Sequence, residues 1–197
     1  MIAGLVGGLL FPGCALKPKF IAPNYGPPST VAVLPFNNHT IDMDGPVLVR
    51  RVFSEKLRRR GYNVKPEEET DDILRKQGIT DGGQLPSIKP AKLAEVLGVD
   101  GLFYGDLIEF KYVTLGFYNT RVVEANFKLI DGYTGEMLWE DQRKATKTKI
   151  ALSSEDALEV FKDKLVEKTV DKMLRMPLKE ETDLVIKRVI STLPYGR

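Results

Sequence analysis

The chain has 197 residues, 43% hydrophobic and 28% charged, which describes a folded protein of about one domain rather than a disordered chain. Its net charge of +2 gives no reason to expect nucleic acid or an acidic membrane surface as a partner. One cysteine excludes an internal disulfide and a multi-cysteine motif, and one histidine argues against a His-rich zinc site, so neither metal nor cofactor is expected.

Residues 1–13 are apolar and glycine-rich, a length that suits a signal-peptide core and is too short for a spanning helix. The run ends at Gly13-Cys14, where the apolar segment gives way to polar sequence. A small residue before a lone cysteine resembles a bacterial lipobox. Its chemistry needs a thiol, because the diacylglyceryl group is attached through a thioether and the cysteine becomes the mature N-terminus. Cys14 is therefore the expected lipidation site. No Lys or Arg precedes Ile2, and Phe11 and Pro12 are unusual ahead of a cleavage point; the missing cations suit a start further upstream. Residues 14–28, with Lys17, Pro18, Lys19, Pro23, Gly26, Pro27 and Pro28, read as a lipidated N-terminus and extended tether, and residues 29–197 as the folded domain.

Residues 30–36 read as a buried strand stopped by Pro35, and residues 37–44 as the loop leaving it. His39, Asp42 and Asp44 are of metal-ligating type, but scattered ligands without a second histidine favour a helix cap at Asp44 or Gly45, with Pro46 in the first turn. The helix over residues 47–60 turns Val49, Val52, Phe53 and Leu57 inward. Arg50, Arg51, Lys56, Arg58, Arg59 and Arg60 form its opposite, basic side, read as a solvated face that complements the helix dipole. A short strand follows at residues 62–64. The acidic stretch 66–72 opens the next helix, which ends near Arg75, Lys76 and Gly78. Residues 82–89 read as a loop, and Pro90 starts a helix closed by Gly98.

Three strand-like runs come next, at residues 99–110, 121–130 and 136–146. Val123, Ala125, Phe127 and Leu129 alternate with Glu124, Asn126 and Lys128, the period-2 signature of a half-buried strand. Asp131, Gly132 and Gly135 supply the second turn. This meander is expected at the centre of the sheet, with Trp139 in the core and Asp100 shaping the entry to the first strand. Strict alternation puts Asp106 and Glu109 on opposite faces, so they form no carboxylate pair. At the first turn Leu115, Phe117 and Tyr118 offer apolar and aromatic surface, the candidate interface. Ser153 and Ser154 ahead of Glu155 open another helix that Pro177 breaks, and a last helix over residues 178–193 turns Val185, Ile186, Val189 and Ile190 inward.

The expected architecture is α/β: a single domain with a mixed sheet flanked by helices, in the order β-α-β-α-α-β-β-β-α-α. The residues also resemble a known family of bacterial lipoproteins of unknown function, of the neisserial surface-antigen type, related to the N-terminal domain of TolB and to CsgG-type secretion lipoproteins. The resemblance lies in Leu34-Pro35 with Asn38, and Gly61-Tyr62 with Val64 and Pro66. It continues through Pro90, Lys92-Leu93, Glu95, Gly98, Asp100, Tyr104 and Glu109, and closes with Leu129, Asp131, Gly135-Glu136 and Leu138-Trp139. After Thr146 the chain departs from that pattern, being longer in charged helix.

The resemblance supplies no catalytic residues. It implies a lipid-anchored, periplasm-facing accessory or assembly component of an envelope or secretion complex, not an enzyme. The expected location is the outer membrane, since Ala15 is not the aspartate that signals inner-membrane retention. Its expected partners are the membrane, through a palmitate-type anchor, and another envelope lipoprotein or a second copy. Two alternatives stand beside it. One is a subunit of a curli-type secretion pore, which would need a membrane-inserting hairpin within residues 104–130. The other is a hydrolase using Asp42, Asp44 or Asp100, although the chain has no nucleophile elbow and no phosphate-binding glycine loop.

Overall fold

The computed structural model describes residues 16–115, 118–150 and 178–196, with backbone alone at 114, 115 and 149. Cys14, Phe117 and the helix expected after Ser153 lie outside the described residues. The strands are β1 (Phe20–Ile21), β2 (Thr30–Val33), β3 (Asn37–Asn38), β4 (Asn63–Val64), β5 (Gly101–Leu115), β6 (Tyr118–Asp131) and β7 (Met137–Ile150). The helices are α1 (Gly45–Arg59), α2 (Glu67–Lys76), α3 (Pro90–Leu97) and α4 (Lys179–Thr192), with a 3-10 helix at Gly82–Ser87. One mixed sheet runs β1-β7-β6-β5-β2-β4, with β3 pairing β5 beside β2. The architecture is the α/β one the sequence predicts, with two additional short strands.

Both faces of this sheet are used. On one, α1 and α4 cover Val31, Val33, Phe103, Leu107, Phe127, Leu129 and Trp139. Phe53 of α1 packs on Phe127 with ring centroids 4.4 Å apart and meets Phe103 edge-on at 5.3 Å. Such pairs contribute about 0.5–1.5 kcal/mol each beyond burial. Val185, Ile186 and Val189 of α4 are fully buried here, as their spacing predicts. On the other face, Leu74, Leu85, Leu93 and Leu97, from α2, the 3-10 helix and α3, close over Ala32, Leu34 and Leu102. Trp139 is a core residue, as expected.

Five local readings are corrected. The segment read as a tether contains β1, which pairs with β7 in the register Phe20↔Glu140 and Ile21↔Trp139, because an edge strand offers unpaired donors and acceptors. The loop after β2 contains β3, and the loop at residues 82–89 is a 3-10 turn held by a reciprocal cap between Asp81 and Gln84. The basic side of α1 is not uniformly solvated. Arg50 is buried at 6% exposure, and Arg60 donates from Nε and Nη2 to the Leu193 carbonyl while its guanidinium lies over the Tyr195 ring.

The fifth correction bears on the site. Leu107 pairs with Ala125 and Glu109 with Glu124, leaving Ile108 as an extra residue in a β-bulge. Alternation therefore resets. Asp106, opposite Asn126, and Glu109, opposite Glu124, stand on the same face of the sheet.

Candidate functional site

That face of β5, β6 and β7 extends beyond α3 and the 3-10 helix as a polar surface. Lys144 bridges Glu109 and Glu124, 3.1 Å from the latter, and Lys111 donates to Glu109 at 2.6 Å. Gln142 donates to Glu124 at 2.6 Å. Asn126 and Lys19 both donate to Glu140, at 3.1 and 2.9 Å. Hydrogen bonds from Lys111 and then Lys144 hold the Glu109 carboxyl below its ordinary range, and Glu109 and Glu124 raise the Lys144 ammonium in return. Burial pushes Glu140 up, but Lys19 and Asn126 more than offset it and the net direction is down. These carboxylates stay ionised and engaged, which suits a fixed surface better than proton transfer near neutral pH.

Where the helical layer ends, a cleft of about 370 Å³ runs between the polar surface and the 3-10 helix. Leu85, Pro86, Ile88, Tyr104 and Ile130 make it largely apolar, and Asp106 and Lys128, 3.7 Å apart, close one end. Burial moves the Tyr104 phenol up to about 12, so it is a hydrogen-bond donor at neutral pH and not a nucleophile.

His39, Asp42 and Asp44 do not converge. His39 Nε2 turns towards Asp106 at 3.7 Å and lies 2.9 Å from Asn37 Nδ2. Asp42 Oδ1 accepts from the backbone N–H of Asp44 and Gly45 at 3.0 and 2.6 Å, so it caps α1 from outside. Asp44 is the N-cap residue, as one of the two sequence options had it, but its side chain makes no capping bond. Among the described residues no group of three His, Cys, Asp or Glu is placed to hold a metal ion. Asp100 accepts from Thr30 N–H and Oγ1 and from the Tyr133 hydroxyl, tying β2, β5 and the β6–β7 turn together. The Tyr133 hydrogen bond comes first among the influences that hold its carboxyl low.

Two features escaped the sequence reading. Arg50 meets Asp71 under a second cleft of about 240 Å³ at the end of β2. Beside it Ile41 and Met43, on a loop braced by Asn38, which donates to Asp42 O and accepts from Thr40, and Val47, in the first turn of α1, are 100%, 81% and 54% exposed. The alternation Ile-Asp-Met-Asp was the available signal. Of the candidate interface, Leu115 and Tyr118 are register partners across the hairpin, and Tyr118 is 38% exposed.

Residues 22–188 match the family described as "Putative lipoprotein GNA1162-like". A curated relative, "Putative lipoprotein NMB1124/NMB1162" of Neisseria meningitidis serogroup B, is 26% identical over 143 residues. That match covers 71% of this chain and 66% of the relative, so the chain spans just under two thirds of the relative's length. The crystal structure of lipoprotein GNA1162 from Neisseria meningitidis is similar at a TM-score of 0.56 and 22% identity, over 75% of this chain and 99% of that one. The fold is shared.

Proposed function

Since this chain belongs to the GNA1162-like family of lipoproteins, we propose that it is a lipid-anchored envelope protein with a non-catalytic role. In this reading the mature chain begins at Cys14, carries its acyl chains on the outer membrane and faces the periplasm, where the domain organises an envelope or secretion complex. The observation that carries it is the lone cysteine of the sequence, set at the boundary between an apolar leader and the domain. Acyl chains at about 0.8 kcal/mol per buried methylene, two or three to a cysteine, make such attachment stable.

The polar surface supports a binding role over a chemical one, because its carboxylates are engaged by lysines and amides. A partner contact at Leu115, Phe117 and Tyr118 belongs to the same reading. A membrane-inserted pore fits less well. On the described strands charged side chains stand on both faces, Glu109, Glu124 and Lys144 on one and Arg121, Arg143 and Lys147 on the other. The test is fractionation. Wild type stays with the outer membrane and Cys14→Ser does not reach it; a wild type recovered in the soluble periplasm would contradict the proposal.

A further inference from the structure

From Lys17 onwards the chain is fastened to the sheet. The Lys17 carbonyl accepts from Arg143 Nη2 at 2.5 Å, Lys19 pairs with Glu140 at 2.9 Å, β1 pairs with β7, and Ala22 N–H donates to Leu138 O at 2.9 Å. Residues 16–21 read Leu-Lys-Pro-Lys-Phe-Ile, with two cations and no carboxylate. Leu16, Phe20 and Ile21 are 48%, 36% and 41% exposed, and Lys17 and Lys19 are exposed beside them. Lysines and prolines on an edge strand guard against unwanted pairing. That accounts for Lys17, Pro18 and Lys19, but not for three apolar side chains left open among them.

Chain length decides what lies opposite this strip. An extended chain spans at most about 3.6 Å per residue, so Lys17 can stand no more than about 11 Å of chain from Cys14, and Leu16 no more than about 7 Å. If Cys14 is lipidated, both are held within about one Debye length of the headgroups, where an anionic surface still attracts a cation. We propose that residues 16–21 are a membrane-contact strip that rests on anionic phospholipid. It sets the β1–β7 edge of the sheet on the bilayer and leaves the β4 edge facing away. This inference rests on the anchoring proposed above. It adds that the domain is held in one orientation rather than swinging on a tether.

The experiment uses the lipidated full-length protein in vesicles of phosphatidylethanolamine and phosphatidylglycerol. With the Cys14 thiol consumed by its thioether, Ile21→Cys, Leu16→Cys or Gln77→Cys each supplies one free thiol for an environment-sensitive fluorophore. Gln77 is exposed at the end of α2, which packs on β2 near the other edge of the sheet. Nitroxide-labelled lipid should quench most of the emission from positions 21 and 16 and little from position 77. A lysine near an anionic surface contributes about fivefold, so Lys17→Ala should lower the ratio of contacting to detached domain by about fivefold, and Lys19→Ala, which removes a cation already paired with Glu140, by less. Vesicles of phosphatidylcholine alone should reproduce that loss. Equal emission at positions 21 and 77, with the protein still floating with the vesicles, overturns the strip and leaves the anchor standing. Protection of position 21 only after adding envelope proteins also overturns it, in favour of a protein contact. Protein that does not float and retains a free Cys14 thiol overturns both.

Discussion

Arg50 grips Val33 with a forked hydrogen bond: Nε and Nη2 both donate to the Val33 carbonyl, at 3.0 and 2.8 Å. Its Nη1 donates to Asp71 Oδ2 at 2.9 Å, and Asp71 Oδ1 lies 2.8 Å from Nη2 in ion-pair range without hydrogen-bond geometry. One side chain thus joins β2 to α1 and α2.

Arg50→Ala should therefore destabilise the domain by about 2–3 kcal/mol. That is below the about 3–5 kcal/mol for breaking a fully buried pair, because the Asp71 side chain is 37% exposed. Arg50→Lys should recover less than half, since a single ammonium cannot reproduce the fork. Urea denaturation at neutral pH measures both; equal stability of the lysine variant and wild type would contradict the role of the fork.

Acid should weaken the fold. Asp100, Glu109 and Glu140 all titrate below their ordinary values, by hydrogen bonds from Tyr133, from Lys111 and Lys144, and from Lys19 and Asn126 respectively. A depressed folded-state pKa contributes stability that is fully present above the unfolded value and is lost as pH falls through the folded one. Stability should be level above about pH 5 and decline from about pH 4.5 downwards. Tyr133→Phe should make that decline shallower. A decline that already begins well above pH 5 would point to other groups.

Gly82 sits where a Cβ would lie 2.4 Å from the Asn37 nitrogen and the Phe36 carbonyl carbon, both backbone atoms that cannot swing aside. Gly82→Ala should cost about 1–3 kcal/mol and push the 3-10 helix off β3. Faster amide exchange at His39, whose N–H donates to Leu107 O at 2.9 Å, would report the displacement. Unchanged exchange there would contradict it.

Trp139 is fully buried, meets Phe103 edge-on with centroids 6.4 Å apart, and its Nε1 has no protein hydrogen-bond partner. Trp139→Ala should cost about 3–5 kcal/mol, whereas Trp139→Phe keeps an aromatic ring and removes the unpaired donor, for about 1–2 kcal/mol. Thermal unfolding of the two variants checks the order; equal losses would mean that the indole is held by its nitrogen.

The parts of the fold legible in the sequence are those with a sustained period. Val123 to Leu129 gave one face of the sheet, Val185 to Val189 one face of α4, and Asp131 with its glycines a turn. Single insertions and long side chains were not legible. Ile108 is an ordinary strand residue, and nothing in the sequence marks it as the bulge that brings Asp106 and Glu109 to one face. Arg50 looks like its basic neighbours until Asp71 and the Val33 carbonyl are placed against it. β1 was hidden because two residues between prolines and lysines carry no strand pattern, and only the open edge of β7 explains the pairing. The candidate metal ligands failed for a related reason: Asp42 serves the backbone two and three residues on, a local use that sequence spacing cannot separate from ligation.

The account stands on Cys14, and mass spectrometry of the N-terminal peptide from membrane-extracted protein tests it most directly. The expected result is a chain that begins at Cys14, with a diacylglyceryl thioether on sulfur and residues 1–13 removed. An N-terminal peptide that still contains residues 1–13, with Cys14 unmodified, would contradict it.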